Sequence, residues 1–182
     1  MNREQLAHVL RAAATIVEDG DILVVGSQSI LGSVDADRLP EEATRSVEAD
    51  LAFFADPNEL KMDRVDGEIG EDSQFHATYG YYAQGVALET SVLPEGWRDR
   101  LIPFGGDAPP SEARCLERHD LIIAKLVAGR EKDVEFVTAL VAADLVDVRV
   151  LLDRALLVSK PGSVQERVRR AIERCAAKAG YG

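Results

Sequence analysis

The chain has 182 residues and a mass of 19.8 kDa, enough for one well-buried domain, or for one with a small appendage. Hydrophobic residues make up 46%, which excludes a disordered chain, and 32 acidic against 21 basic side chains leave a net charge of −11. Such an acidic surface excludes non-specific coating of nucleic acid, although carboxylates can still recruit a cation and, through it, the phosphates of a nucleotide. Apolar runs such as Leu121-Ile122-Ile123-Ala124 fall far short of the ~20 residues that a membrane span needs. The first residues are mixed in charge and unlike a signal peptide. Cys115 and Cys175 lie far apart, outside any metal spacing. The expectation is a reduced, cytoplasmic protein with no membrane partner.

Leu6, Val9, Leu10, Ala13, Ile16 and Val17 recur at helical spacing, so residues 3–18 are expected to form an amphipathic helix stopped by Asp19-Gly20-Asp21. Ile22-Leu23-Val24-Val25 is a short apolar run ending in Gly26 and predicts a buried strand. A short helix over Ser27 to Leu31 follows, then a polar loop to Arg45 with one helical turn. Val47 to Phe54 alternates apolar and acidic residues and predicts a second strand. Pro57 suits the first turn of a helix running to Asp66, with Gly67 and Gly70 opening a loop. Aromatic-rich Phe75 to Val86 is the third expected strand, and Trp97 to Phe104 a further one.

Gly105-Gly106-Asp107-Ala108-Pro109-Pro110 is the clearest linker, and the pattern beyond it is helical. Helices are expected near 111–128, 131–143, 147–158 and 163–178. The chain thus divides into an α/β unit, residues 1–106, and a C-terminal helical lobe, residues 107–182. From Lys160 onward basic residues exceed acidic ones, which fits either a solvated face of Arg–Glu pairs or a contact strip for an acidic partner.

Two features carry chemistry. Gly26-Ser27 between a strand and a helix offers close backbone approach and a phosphate-binding turn. Glu48 and Asp50, two apart on the next strand, leave the same face of the sheet. Like charges so close call for a cation between them, and Mg²⁺ takes such oxygen ligands together with substrate phosphates.

The order Val25-Gly26-Ser27, then Glu48-Ala49-Asp50-Leu51, resembles the fingerprint of the DNA polymerase β-like nucleotidyltransferase superfamily. The later block His119-Asp120-Leu121, Lys125-Leu126 and Gly129-Arg130-Glu131-Lys132-Asp133 is similar to that of its AbiEii-type branch, which includes toxins of toxin–antitoxin systems. The resemblance implies an α/β (α+β) fold, with a small mixed sheet flanked by helices and a helical lobe packed on it. It implies that Gly26, Ser27, Lys125 and Arg130 bind the nucleotide and that Glu48 and Asp50 hold Mg²⁺ (or Mn²⁺). Asp133 would position its neighbours.

The implied reaction moves a nucleoside monophosphate from a nucleoside triphosphate to a hydroxyl of a protein, an RNA or a small molecule, in a toxin–antitoxin or phage-defence setting that can include a cognate protein partner. Two departures stand out. Glu48 replaces the usual Asp, and the third strand lacks the third catalytic carboxylate, for which nearby Glu89 is the candidate. The rival expectation is a catalytically inactive module of the same fold, acting as an antitoxin or adaptor. Structural roles also suit several of these residues: Asp133 can form a surface ion pair with Arg130, and Lys125 can snorkel from a helix face. His76 and His119 suit loop or capping positions, Trp97 a core, and Tyr79, Tyr81 and Tyr82 strand packing.

Overall fold

A computed structural model of the chain describes residues 1–105 and 112–180. The helices are α1 (Arg3–Val17), α2 (Glu41–Thr44), α3 (Leu60–Ile69), α4 (Gln74–Tyr79), α5 (Arg118–Ala128), α6 (Glu131–Ala142), α7 (Val148–Leu156) and α8 (Gly162–Lys178). The strands are β1 (Ile22–Val24), β2 (Glu48–Phe53), β3 (Tyr82–Gly85), β4 (Ile102–Pro103) and β5 (Arg114–Cys115). They form one mixed sheet in the order β3-β2-β1-β5-β4. β1 runs antiparallel to β2 and parallel to β5, β3 runs parallel to β2, and β4 runs antiparallel to β5.

Burial explains the sheet. Ile22, Leu23 and Val24 are fully buried, as a central strand covered on both faces requires, and Ala49 and Leu51 of β2 join the same core. Helix α1 starts at a reciprocal cap: Asn2 Oδ1 accepts from the Gln5 N–H at 2.9 Å, and Gln5 Oε1 accepts from the Asn2 N–H at 2.8 Å. Its stripe of Leu6, Val9, Leu10 and Ala13 is fully buried, and α1 packs on α3 beside β3.

On the C-terminal side, α5 is the central element. Its Leu121, Ile122 and Ile123 are fully buried, and it packs on α6, α7 and α8 as well as on the 3₁₀ helix Ser27–Gly32 that follows β1. Asp120, with no solvent exposure, takes a fork from Arg100 at 2.7 and 3.1 Å and lies 3.4 Å from Arg154 Nε. This buried carboxylate fastens the turn at 97–100 to both α5 and α7. His119 is a connector too. Its Nδ1 bonds Glu117 Oε1 at 2.7 Å, and its Nε2 accepts from the Asp147 N–H at 3.1 Å. The C-terminal basic residues Arg169 and Arg170 pair with Glu166 on α8, each at 2.8 Å, so part of that strip is spent on ion pairs. No helix among the described residues is long and apolar enough to cross a membrane.

Several expected elements shift. The helix expected from Pro57 to Asp66 starts at Leu60, because Asp56 accepts from the Lys61 and Met62 N–H groups at 3.1 Å. It runs through Gly67, where the glycine faces open space, and stops at Gly70, where a Cβ would overlap the Asp66 carbonyl. The strand expected over 75–86 is a strand only in its second half. Ser73 Oγ caps α4 by accepting from the His76 N–H at 3.1 Å, and Gly80, at φ +74, turns the chain into β3. The strand expected over 97–104 opens instead as the 3₁₀ turn Trp97–Arg100 and narrows to β4. The helix expected from 111 begins only at Arg118, because Arg114 and Cys115 form β5, inside the sheet between β1 and β4. Residues 106–110 of the expected linker, and residue 111 of the helix expected after it, lie outside the described residues.

Candidate functional site

Gly26 leads from β1 into the 3₁₀ helix, and it sits against β2. The Val25 N–H donates to the Asp50 carbonyl at 3.1 Å, and a Cβ on Gly26 would overlap the Asp50 carboxylate. Only glycine allows this approach. The 3₁₀ helix is pinned by two fully buried polar residues. Ser29 Oγ donates to the Leu116 carbonyl at 3.2 Å, and Gln28 Nε2 donates to the Ser46 carbonyl at 2.8 Å. These anchors fix Ser27 at the mouth of a cleft.

From the opposite wall α5 supplies Lys125, 8% exposed, whose Nζ donates to Ser27 Oγ at 2.9 Å and to Asp133 Oδ1 at 3.2 Å. The ammonium also lies 4.6 Å from the centre of the Phe136 ring. Asp133, with no solvent exposure, takes a second cation: Arg130 donates to it from Nε at 2.8 Å and from Nη2 at 3.3 Å. Burial alone would raise the Asp133 pKa, but the bonds and charges of Arg130 and Lys125 outweigh it and hold the carboxylate below its usual range. Burial pulls the Lys125 ammonium down, an effect that Asp133 opposes. A buried acid thus fixes two cations at the edge of the cleft.

β2 brings the acidic pair. Glu48 and Asp50 lie within hydrogen-bond reach of one another on one face of the strand. Burial, and then the hydrogen bond and charge of Glu48, push Asp50 up to about 7, while Lys125 and Arg130 pull the other way. Tyr82, opposite Glu48 in the β2–β3 register, donates its hydroxyl to Glu48 Oε2 at 3.1 Å. Burial and the charge of Glu48 push that phenol up to about 12.

Gly26, Ser27, Glu48, Asp50, Lys125 and Arg130 all line one cleft of about 380 Å³. Glu89 does not join them. It is exposed on the 3₁₀ turn Leu88–Thr90 and lines an adjoining depression of about 690 Å³ with Phe54 and Arg98. On β3 the residues beside the pair are Tyr82 and Gln84, a phenol and an amide.

Sequence reasoning passed over Tyr82, which it assigned to strand packing. The signal was there in the two-residue spacing of Tyr82 and Gln84, matching that of Glu48 and Asp50. For Asp133 the sequence left two readings, a residue that positions its neighbours and a surface ion pair with Arg130; the structure buries it beneath both cations. Lys132 lines the cleft as well. Cation and carboxylate therefore face each other across a gap that opens to solvent, a combination suited to a phosphorylated, cation-bound ligand.

Among the described residues, no group of three or more His, Cys, Asp or Glu is gathered for a metal. The pair still fits a divalent cation that completes its shell with phosphates and water. Its donors are carboxylate oxygens, and the proton that Asp50 retains near neutrality is one that a cation can replace.

No curated protein and no solved structure matches the chain. A family model does match it, over residues 4–173, a span that takes in the Gly26-Ser27 turn, the acidic pair and the Lys125–Asp133 network. The chain therefore belongs to the family described as nucleotidyltransferase of unknown function (DUF6036).

Proposed function

We propose that the protein transfers a nucleoside monophosphate from a nucleoside triphosphate to an acceptor hydroxyl, with release of pyrophosphate, and that it needs Mg²⁺ or Mn²⁺ to do so. The observation that carries this reading is the convergence of Ser27, Lys125 and Arg130 with Glu48 and Asp50 in one cleft. Lys125 and Arg130 offer positive charge to the phosphates, and Asp133 keeps both side chains ordered while the ligand arrives. Gly26 leaves room for Asp50 to stand beside the phosphate-binding turn. Glu48 and Asp50 would hold the cation, which when bound aligns the triphosphate and neutralises charge developing at the α-phosphorus.

The AbiEii-like order of Lys125, Arg130, Lys132 and Asp133 supports a toxin–antitoxin setting, with a protein, an RNA or a small molecule as acceptor and a cognate protein as partner. A second reading is favoured by one observation. Gln84 stands beside Asp50 where a third carboxylate would approach, and Glu89 faces another depression. On that reading the protein is a catalytically inactive nucleotide-binding module, acting as an antitoxin or adaptor.

Incubation of the protein and a cell lysate with each α-labelled triphosphate, with and without Mg²⁺, separates the two. Labelled acceptor that forms only with the cation supports transfer. Nucleotide binding with no labelled acceptor supports the module.

A further inference from the structure

We infer that Tyr82 is a positioning residue that sets how Glu48 presents its carboxylate to a divalent cation, and that it biases the site toward Mg²⁺ or Mn²⁺ over Ca²⁺; this rests on the nucleotidyl-transfer reading above. Parallel pairing of β3 with β2 sets Tyr82 directly beside Glu48, and its hydroxyl donates to Oε2 at 3.1 Å. Tyr82 does not itself line the cleft that Glu48 and Asp50 line, so the phenol meets the carboxylate from the neighbouring strand, outside the cleft.

The phenol is held in turn. The His76 ring lies 4.6 Å from that of Tyr82, centre to centre, at an interplanar angle of 49°. His76 Nδ1 accepts from the Asp72 N–H at 3.1 Å, and the His76 N–H is bound by Ser73 Oγ, so the start of α4 braces the imidazole. A chain of contacts thus runs from α4 through His76 and Tyr82 to Glu48.

Glu48 needs such a brace. It has one more rotatable bond than an aspartate, and a freely rotating carboxylate loses more entropy when it binds a cation. The bond from Tyr82 removes that freedom in advance. It also engages one of the two oxygens, Oε2. Ligation through one oxygen suits Mg²⁺, which demands near-octahedral geometry, whereas Ca²⁺ readily takes both oxygens of a carboxylate. Hydrogen bonds to a ligating carboxylate commonly govern metal affinity by ~10–100-fold.

The test is the Tyr82→Phe variant, with bound Mn²⁺ measured by electron paramagnetic resonance in the presence of a non-hydrolysable triphosphate, and with Ca²⁺ as competitor. Mn²⁺ affinity is expected to fall by about 10-fold or more. Ca²⁺ affinity is expected to hold or rise, so that the Mn²⁺/Ca²⁺ ratio drops, while the melting temperature stays close to that of the parent. If Tyr82→Phe does not fold, His76→Leu, which keeps the phenol but removes its backing, must lower the ratio in the same direction. A parent protein that binds Mn²⁺ beside variants with an unchanged ratio overturns the inference. A parent protein that binds no Mn²⁺ at all overturns the nucleotidyl-transfer reading beneath it.

Discussion

Gly26 and Asp50 stand so close that a single methyl group on Gly26 would occupy the space of the Asp50 carboxylate. The Gly26-Ser27 turn and the acidic strand are therefore parts of one packing unit. Gly26→Ala must push Asp50 aside, at a cost typical of overpacking, about 1–3 kcal/mol. The variant is expected to fold with a lowered melting temperature and to lose the part of its nucleotide affinity that depends on Mg²⁺. Thermal melts together with calorimetric titration of the variant check both effects.

Asp133 and Lys125 are expected to differ sharply when removed. Asp133→Ala leaves buried Lys125 without its carboxylate, and breaking a buried pair in this way costs ~3–5 kcal/mol. Lys125→Met leaves Asp133 its bonds from Arg130, so its cost is smaller. Denaturant unfolding is expected to rank Asp133→Ala well below Lys125→Met in stability, although both weaken nucleotide binding.

The pH dependence of stability has a definite sign. Asp50 is raised from 3.8 to about 7 in the folded protein, so the folded state binds the extra proton between those values. The contribution of this group therefore falls as pH rises through that window and is flat above it. Without metal, the melting temperature of the parent is expected to drop more between about pH 5 and about pH 8 than that of Asp50→Asn. Excess Mg²⁺ is expected to narrow the gap. Equal slopes for the two proteins would show that the pair does not share a proton as described.

Glu89 supplies a separate check. Loss of a general base commonly costs ~10²–10⁴-fold in rate. From its exposed turn Glu89 faces the depression around Phe54 and Arg98, so Glu89→Gln is expected to change turnover by no more than about twofold. Initial rates at saturating nucleotide decide the matter, and a drop in the full range for a lost base would show that the turn carries Glu89 to the acidic pair.

How far the site was legible in the sequence depended on whether its signals were local. The apolar run before Gly26 and the alternation through Leu51 are short-range patterns, and Gly26, Ser27, Glu48 and Asp50 lie where those patterns indicate. The third strand was misjudged because aromatic residues favour strands on average, while a Ser73 cap and a left-handed Gly80 make residues 74–79 a helix. β5 was missed for another reason. A two-residue strand has no periodicity of its own, and Arg114-Cys115 is extended only because β1 and β4 pair with it on either side. The partnership of Tyr82 with Glu48, 34 positions apart, follows from parallel register, which no local pattern encodes.

The measurement that bears most directly on the central claim is calorimetric titration of the parent and of Asp50→Asn with each nucleoside triphosphate, with and without Mg²⁺. Removing one of two crowded carboxylates leaves the free protein as stable as before or more so, so any loss in the variant reports on the ligand. The expected result is nucleotide binding that Mg²⁺ strengthens in the parent and does not strengthen in Asp50→Asn. Nucleotide affinity that ignores Mg²⁺ in both proteins, or no nucleotide binding by the parent, would contradict the assignment of Glu48 and Asp50 as the cation seat beside Ser27 and Lys125.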